Sequence, residues 1–174
     1  MKTELCILRV LLTLCALLQL TFFVLGWSGV LASDSFMQIS PAGLGDAAAR
    51  ALDAPQRTIG AVVGLPVLLT LLYGLWRLQC ALRNIERNAL FGLDTIAHVR
   101  AFAGAALVST LLAILEAPLR TLALRLVPGL AGPKLSIGVT SDQLLLIVVC
   151  ALFYLIIRLM HAARRLAEEN EGFI

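Results

Sequence analysis

The chain has 174 residues, 60% of them hydrophobic and 14% charged, with a mean hydropathy of +0.92 and a formal net charge of +3. That leaves too little polar surface to cover a water-soluble domain, so a bilayer must solvate most of the chain. A modest charge, with no basic stripe interleaved with aromatics, excludes nucleic acid as a partner.

Crossing a hydrocarbon core of about 30 Å takes roughly 20 mostly apolar residues in a helix. Four stretches meet or approach that length, and they predict helices over about 10–32, 59–82, 95–126 and 142–169. The first apolar run, Val10 to Ala32, follows Lys2 and Arg9 and ends in Val30-Leu31-Ala32, an acceptable signal-peptidase site. At about 23 residues it exceeds the roughly 7 to 15 of a signal-peptide core. A retained helix is therefore expected, with cleavage as the alternative. In the connection that follows, Asp46 can cap a helical turn through Ala47 to Leu52, which Pro55 would stop.

The second apolar run, Ile59 to Trp76, carries Gly60 and Gly64 at GxxxG spacing and Pro66, which frees the carbonyl of Val62. Leu82, Ile85 and Ala89 then recur at helical spacing while Arg83, Glu86 and Arg87 take another face, so this helix is expected to continue beyond the bilayer. A break is expected near Gly92. Asp94 is a suitable N-cap for the third helix and forms an i, i+4 pair with His98.

The third run carries Ala101, Ala105, Ser109, Ala113 and Ala117, every fourth residue, as a smooth stripe for a neighbouring helix. Ordinary bundle packing and a self-association face are both open to this stripe and to the GxxxG. Glu116 interrupts the run roughly 22 Å beyond Ala101, with Arg120 one turn further. Both charges point along the packing face rather than to lipid, and Glu before Arg at i, i+4 is the favourable order for an ion pair. Two readings stand for Glu116 and Arg120: a structural pair near the outer interface, or the wall of an ion or substrate path. Gln19, Thr70, Tyr73 and Tyr154 are the other polar side chains that could join such a path.

Pro128, Gly129, Gly132, Pro133 and Gly138 make the last connection turn-rich, and Thr140 with Gln143 is a capping box opening the fourth helix. Beyond Arg158 the chain reads as a helix emerging into water, with Arg164/Glu168 and Arg165/Glu169 at i, i+4.

Nine of the fourteen Lys and Arg residues fall in the N-terminal segment, the second connection and the C-terminal segment. An all-α, up-down bundle of four transmembrane helices with both ends in the cytoplasm follows from that bias. Cys6, Cys15, Cys80 and Cys150 lie in or beside apolar runs without metal-ligand spacing and read as reduced packing residues. No HExxH, GxSxG or phosphate-cradling glycine loop occurs, and His98 and His161 stand alone at helix ends, so no enzyme, metal or cofactor is expected.

Two stretches near these cytoplasmic ends resemble a known family. Asn88-Ala89-Leu90-Phe91-Gly92-Leu93-Asp94-Thr95-Ile96-Ala97-His98-Val99-Arg100, reaching Gly104, is similar to the link after the second helix in the bacterial family known as domain of unknown function 2975. Phe91, Ile96, Arg100 and Gly104 match its Phe, aliphatic, basic and Gly positions, although Asn88 and Ala89 stand where the family has Gly. The closing Ala163 to Ile174 resembles the family's terminal motif, with Leu166, Glu169 and Asn170 at its most regular positions. The resemblance implies a four-helix bacterial inner-membrane protein with no assigned activity, often encoded near small helix-turn-helix regulators. Two functions are therefore expected: a regulatory membrane component contacting a cytoplasmic protein, with Phe91, Arg100, Leu166, Glu169 and Asn170 as its motif positions; or a small transporter or channel subunit using Glu116 and Arg120, working as a homo-oligomer.

Overall fold

Four long helices account for nearly all of the chain that the computed structural model describes, which is residues 2–28, 52–86, 92–126 and 139–171. They are α1 (Lys2–Ser28), α2 (Ala54–Glu86), α3 (Leu93–Leu126) and α4 (Ser141–Glu171). Each is long and apolar enough to cross a membrane.

The helix starts follow from local hydrogen bonding. At α2 the side chain of Gln56 accepts a bond from the Asp53 N–H (3.1 Å), and the Asp53 carbonyl accepts from the Arg57 N–H (3.0 Å). Pro55 lies in the first turn of α2, where a proline is tolerated because its missing N–H would have no helical partner there. The turn expected at 46–52 lies largely outside the described residues. At α3 the Gly92 carbonyl takes the Ile96 N–H (3.1 Å). Asp94 is therefore in the first turn and not at the cap, and no ion pair joins it to His98 among the described residues. The capping box of α4 forms: the Thr140 N–H donates to Gln143 Oε1 (2.9 Å) and the Gln143 N–H donates to Thr140 Oγ1 (3.4 Å). The turn-rich connection before it lies outside the described residues up to Gly138.

Neighbours in sequence are neighbours in space. α2 and α3 form the most extensive contact, α4 packs on α3, and α1 on α2. These contacts are antiparallel. Arg9 near the start of α1 pairs with Glu86 at the end of α2 (3.0 Å), while Trp27 at the end of α1 lies over Gly60 near the start of α2. Gly74 meets Ala105 and Phe102, and Ser109 Oγ donates to the Val67 carbonyl (3.3 Å). Phe102 meets Phe153 edge-on at 5.2 Å between centroids.

The small residues expected to form packing faces do so inside one chain. Ala105 and Ser109 of α3 face α2, and Gly60 and Gly64 of α2 lie under Trp27 and Phe23 of α1. The GxxxG is thus occupied by α1 and is not a free self-association face. α3 is the most buried helix, whereas α1 has no buried residue among those described and presents Leu11, Leu14, Leu17, Leu18 and others outward. An apolar surface of this extent is not stable in water. Threonines inside the helices satisfy their own hydroxyls: Thr21, Thr70, Thr110 and Thr121 each donate to the carbonyl four residues back.

Candidate functional site

The charged residues of the third apolar run lie where the α3 stripe takes them. Glu116 and Arg120 are only 7% and 5% exposed, and Arg120 Nη1 stands 3.5 Å from Glu116 Oε1. Removing either ion from water alone is expensive, and the pairing offsets part of that cost. A third element completes the arrangement. The centre of the Trp27 indole lies 5.9 Å from the Arg120 guanidinium carbon, so the cation meets an aromatic ring as well as the carboxylate. Gly60 makes this possible, since a Cβ there would overlap the Trp27 ring. Gly64 does the same for the carboxylate: a Cβ at that position would lie 3.4 Å from Glu116 Oε1 and 3.2 Å from Phe23.

Glu116 also lines a cavity of about 360 Å³ to which all four helices contribute. Its polar residues are Gln19, Ser109, Thr110 and Glu116, and Phe22, Phe23 and Trp27 supply much of the apolar wall. Ser109 and Thr110 already donate to backbone carbonyls, which leaves their oxygens as acceptors. An ammonium or other donor-bearing group in this space would meet a carboxylate and hydroxyl oxygens.

Of the polar side chains expected beside Glu116, Gln19 alone joins it. Thr70 bonds back to the Pro66 carbonyl (2.7 Å), Tyr73 stacks obliquely on Trp76 and under Arg77, and Tyr154 lines a different cleft. Ser109 was legible as a small residue of the stripe, and its position seven residues before Glu116 places both on one face. Phe23 and Trp27 carry no such signal, because nothing local to α1 says which helix will cover Glu116. The cysteines are free; Cys150 is buried, Cys80 is partly so, and Cys6 and Cys15 face outward, so packing explains only the first two.

The motif positions near the other end fall differently. Arg100 is exposed on the second turn of α3 and Leu166 is exposed on α4. The backbone of α4 runs on through Glu169 and Asn170, while Phe91 lies outside the described residues.

Four membrane-length helices with lipid-compatible surfaces and one buried ion pair are the features of a multi-pass membrane protein. The family described as "Protein of unknown function (DUF2975)" matches residues 44–174, and the chain belongs to that family. The match takes in α2, α3 and α4, while α1 precedes it. No curated protein and no solved structure matches the chain.

Proposed function

We propose that this chain is a bacterial inner-membrane protein that crosses the bilayer four times in an up-down bundle with both ends in the cytoplasm. In this reading it performs no chemistry and presents its cytoplasmic helix ends to a regulatory protein. The observation that carries the proposal is helix length. With 33, 34 and 31 residues, α2, α3 and α4 exceed what a membrane requires, since each spans roughly 45–50 Å against about 30 Å of hydrocarbon.

α3 and α4 also pack on each other near the end that carries the basic residues. Ile96, Ala103 and Ile157 form a buried cluster with Val99, Phe153 and Met160, joining the start of α3 to the second half of α4. The Arg9–Glu86 pair ties α1 to the end of α2 on the same side. A rigid joint of this kind can pass a tilt of the membrane helices to their cytoplasmic ends. A pull-down comparing the full chain with one lacking Glu168 to Ile174 tests it: recovery of a regulator is expected to depend on those residues, and equal recovery removes the basis of the reading.

A second reading is favoured by the cavity against Glu116, which suits a small transporter or channel subunit for a cationic or donor-bearing solute. Four helices enclose little space, so this function calls for a homo-oligomer. Flux measurements on Glu116→Gln and Glu116→Ala decide it, because wild-type flux in both inserted variants would exclude a pathway through this carboxylate.

A further inference from the structure

α3 and α4 border an open cleft of about 420 Å³, lined by Arg100, Tyr154, Leu155, Ile157, Arg158 and His161. Cationic or proton-donating groups converge on it from two helices, and no carboxylate lines it among the described residues. Neither Arg100 nor Arg158 takes part in the ion pairs Arg9–Glu86 and Glu116–Arg120, and neither is neutralised by a described partner. Tyr154, Arg158 and His161 stand at i, i+4 and i+7, on one face of α4.

Depth decides what kind of anion the cleft suits. Arg158 lies 17 residues after the start of α4, or roughly 26 Å along it, close to the far boundary of a core of about 30 Å. The basic groups therefore sit at headgroup level. From there toward the membrane centre α4 exposes Leu155, Leu152, Val148 and Leu145. A water-soluble anion gains nothing from such an apolar wall, whereas an acyl chain can lie against it.

We propose that this cleft binds the phosphodiester headgroup of an anionic phospholipid of the cytoplasmic leaflet. Arg100 and Arg158 hold the phosphate from two sides, the Tyr154 hydroxyl and the His161 ring donate to its oxygens, and an acyl chain runs down the exposed face of α4. Basic pockets between membrane helices are suited to such headgroups, and arginine's planar fork matches phosphate geometry. The proposal rests on the membrane orientation given above but not on any protein partner.

The test uses the full chain purified in an uncharged detergent, with thermal unfolding and native mass spectrometry as readouts. Phosphatidylglycerol is expected to raise the Tm saturably and to remain bound, while phosphatidylcholine and inorganic phosphate do neither. Arg100→Gln with Arg158→Gln should weaken the apparent phosphatidylglycerol affinity roughly 30-fold. It should leave the Tm in detergent alone unchanged, since both side chains are exposed. Should that variant fail to fold, Arg158→Gln alone is read in the same way, with a loss of about fivefold. Arg57→Gln with Arg125→Gln, at the opposite end, should leave the affinity intact. Equal stabilisation by phosphatidylcholine or inorganic phosphate, or full affinity in the cleft variants, overturns the site. A chain that stays in solution without detergent would instead overturn the membrane reading itself.

Discussion

Glu116 and Arg120 illustrate how much one pair of side chains can require of its surroundings. The pair is buried, the cation is covered by Trp27, and two glycines on α2 leave room for both groups. Truncating one partner is predicted to cost more than replacing both. Glu116→Ala should destabilise the protein by roughly 3 kcal/mol, because a buried guanidinium is left without its counterion, whereas Glu116→Gln with Arg120→Met should cost clearly less. Thermal unfolding in detergent separates the two, and equal losses would mean that the charges do not depend on each other. Arg9–Glu86 stands in contrast, since its side chains are 35% and 28% exposed. An ion pair that wet contributes under about 1 kcal/mol. Arg9→Glu should therefore barely move the Tm, and adding Glu86→Arg should restore whatever is lost; a large Tm drop on the single change would show that the pair is a principal clamp.

At the scale of helices, stability depends on close approach, because lipid is as apolar as leucine and does not press helices together. Gly60 is a position where a Cβ would overlap the Trp27 ring of α1, and Gly74 the one where a Cβ would lie 3.1 Å from that of Ala105. Gly60→Ala is predicted to push Trp27 off α2 and away from Arg120, at a cost of about 1–3 kcal/mol. The check is Trp27 fluorescence in a Trp76→Phe background, where emission should shift as the indole leaves its site. Unaltered emission together with an unaltered Tm would mean that α1 does not need this contact. Thr140→Ala removes one half of the capping box and should cost about 1 kcal/mol, measurable as a lower Tm. The caps also show where local reading succeeds. Thr140 and Gln143 were legible because the bonds between them involve residues three apart. Asp94 was misplaced because the same residue type serves at more than one position of a first turn, and only the backbone path says which.

For the molecule as a whole, the antiparallel contacts and the basic bias yield a definite prediction. Reporter fusions after Arg57 and Lys134 should be active on the outer side of the membrane, and one after Arg87 on the inner side. Outer activity of the Arg87 fusion would reverse the orientation and move the proposed lipid site to the other leaflet.

The number of apolar helices and the Glu116–Arg120 pairing were determined by the residues alone, since each is a matter of length or of spacing within one helix. By contrast, α1 begins at Lys2 and not near residue 10, because helical hydrogen bonding runs on past the apolar stretch. Hydrocarbon surrounding all sides removes the amphipathic signal by which a water-exposed helix reveals its inward face. Which helix covers the ion pair, that Gly60 and Gly64 are filled by α1 rather than by a second copy, and that Arg9 finds Glu86 were therefore decided only when the helices docked. Those contacts join residues far apart in the chain, and nothing local to either partner records them.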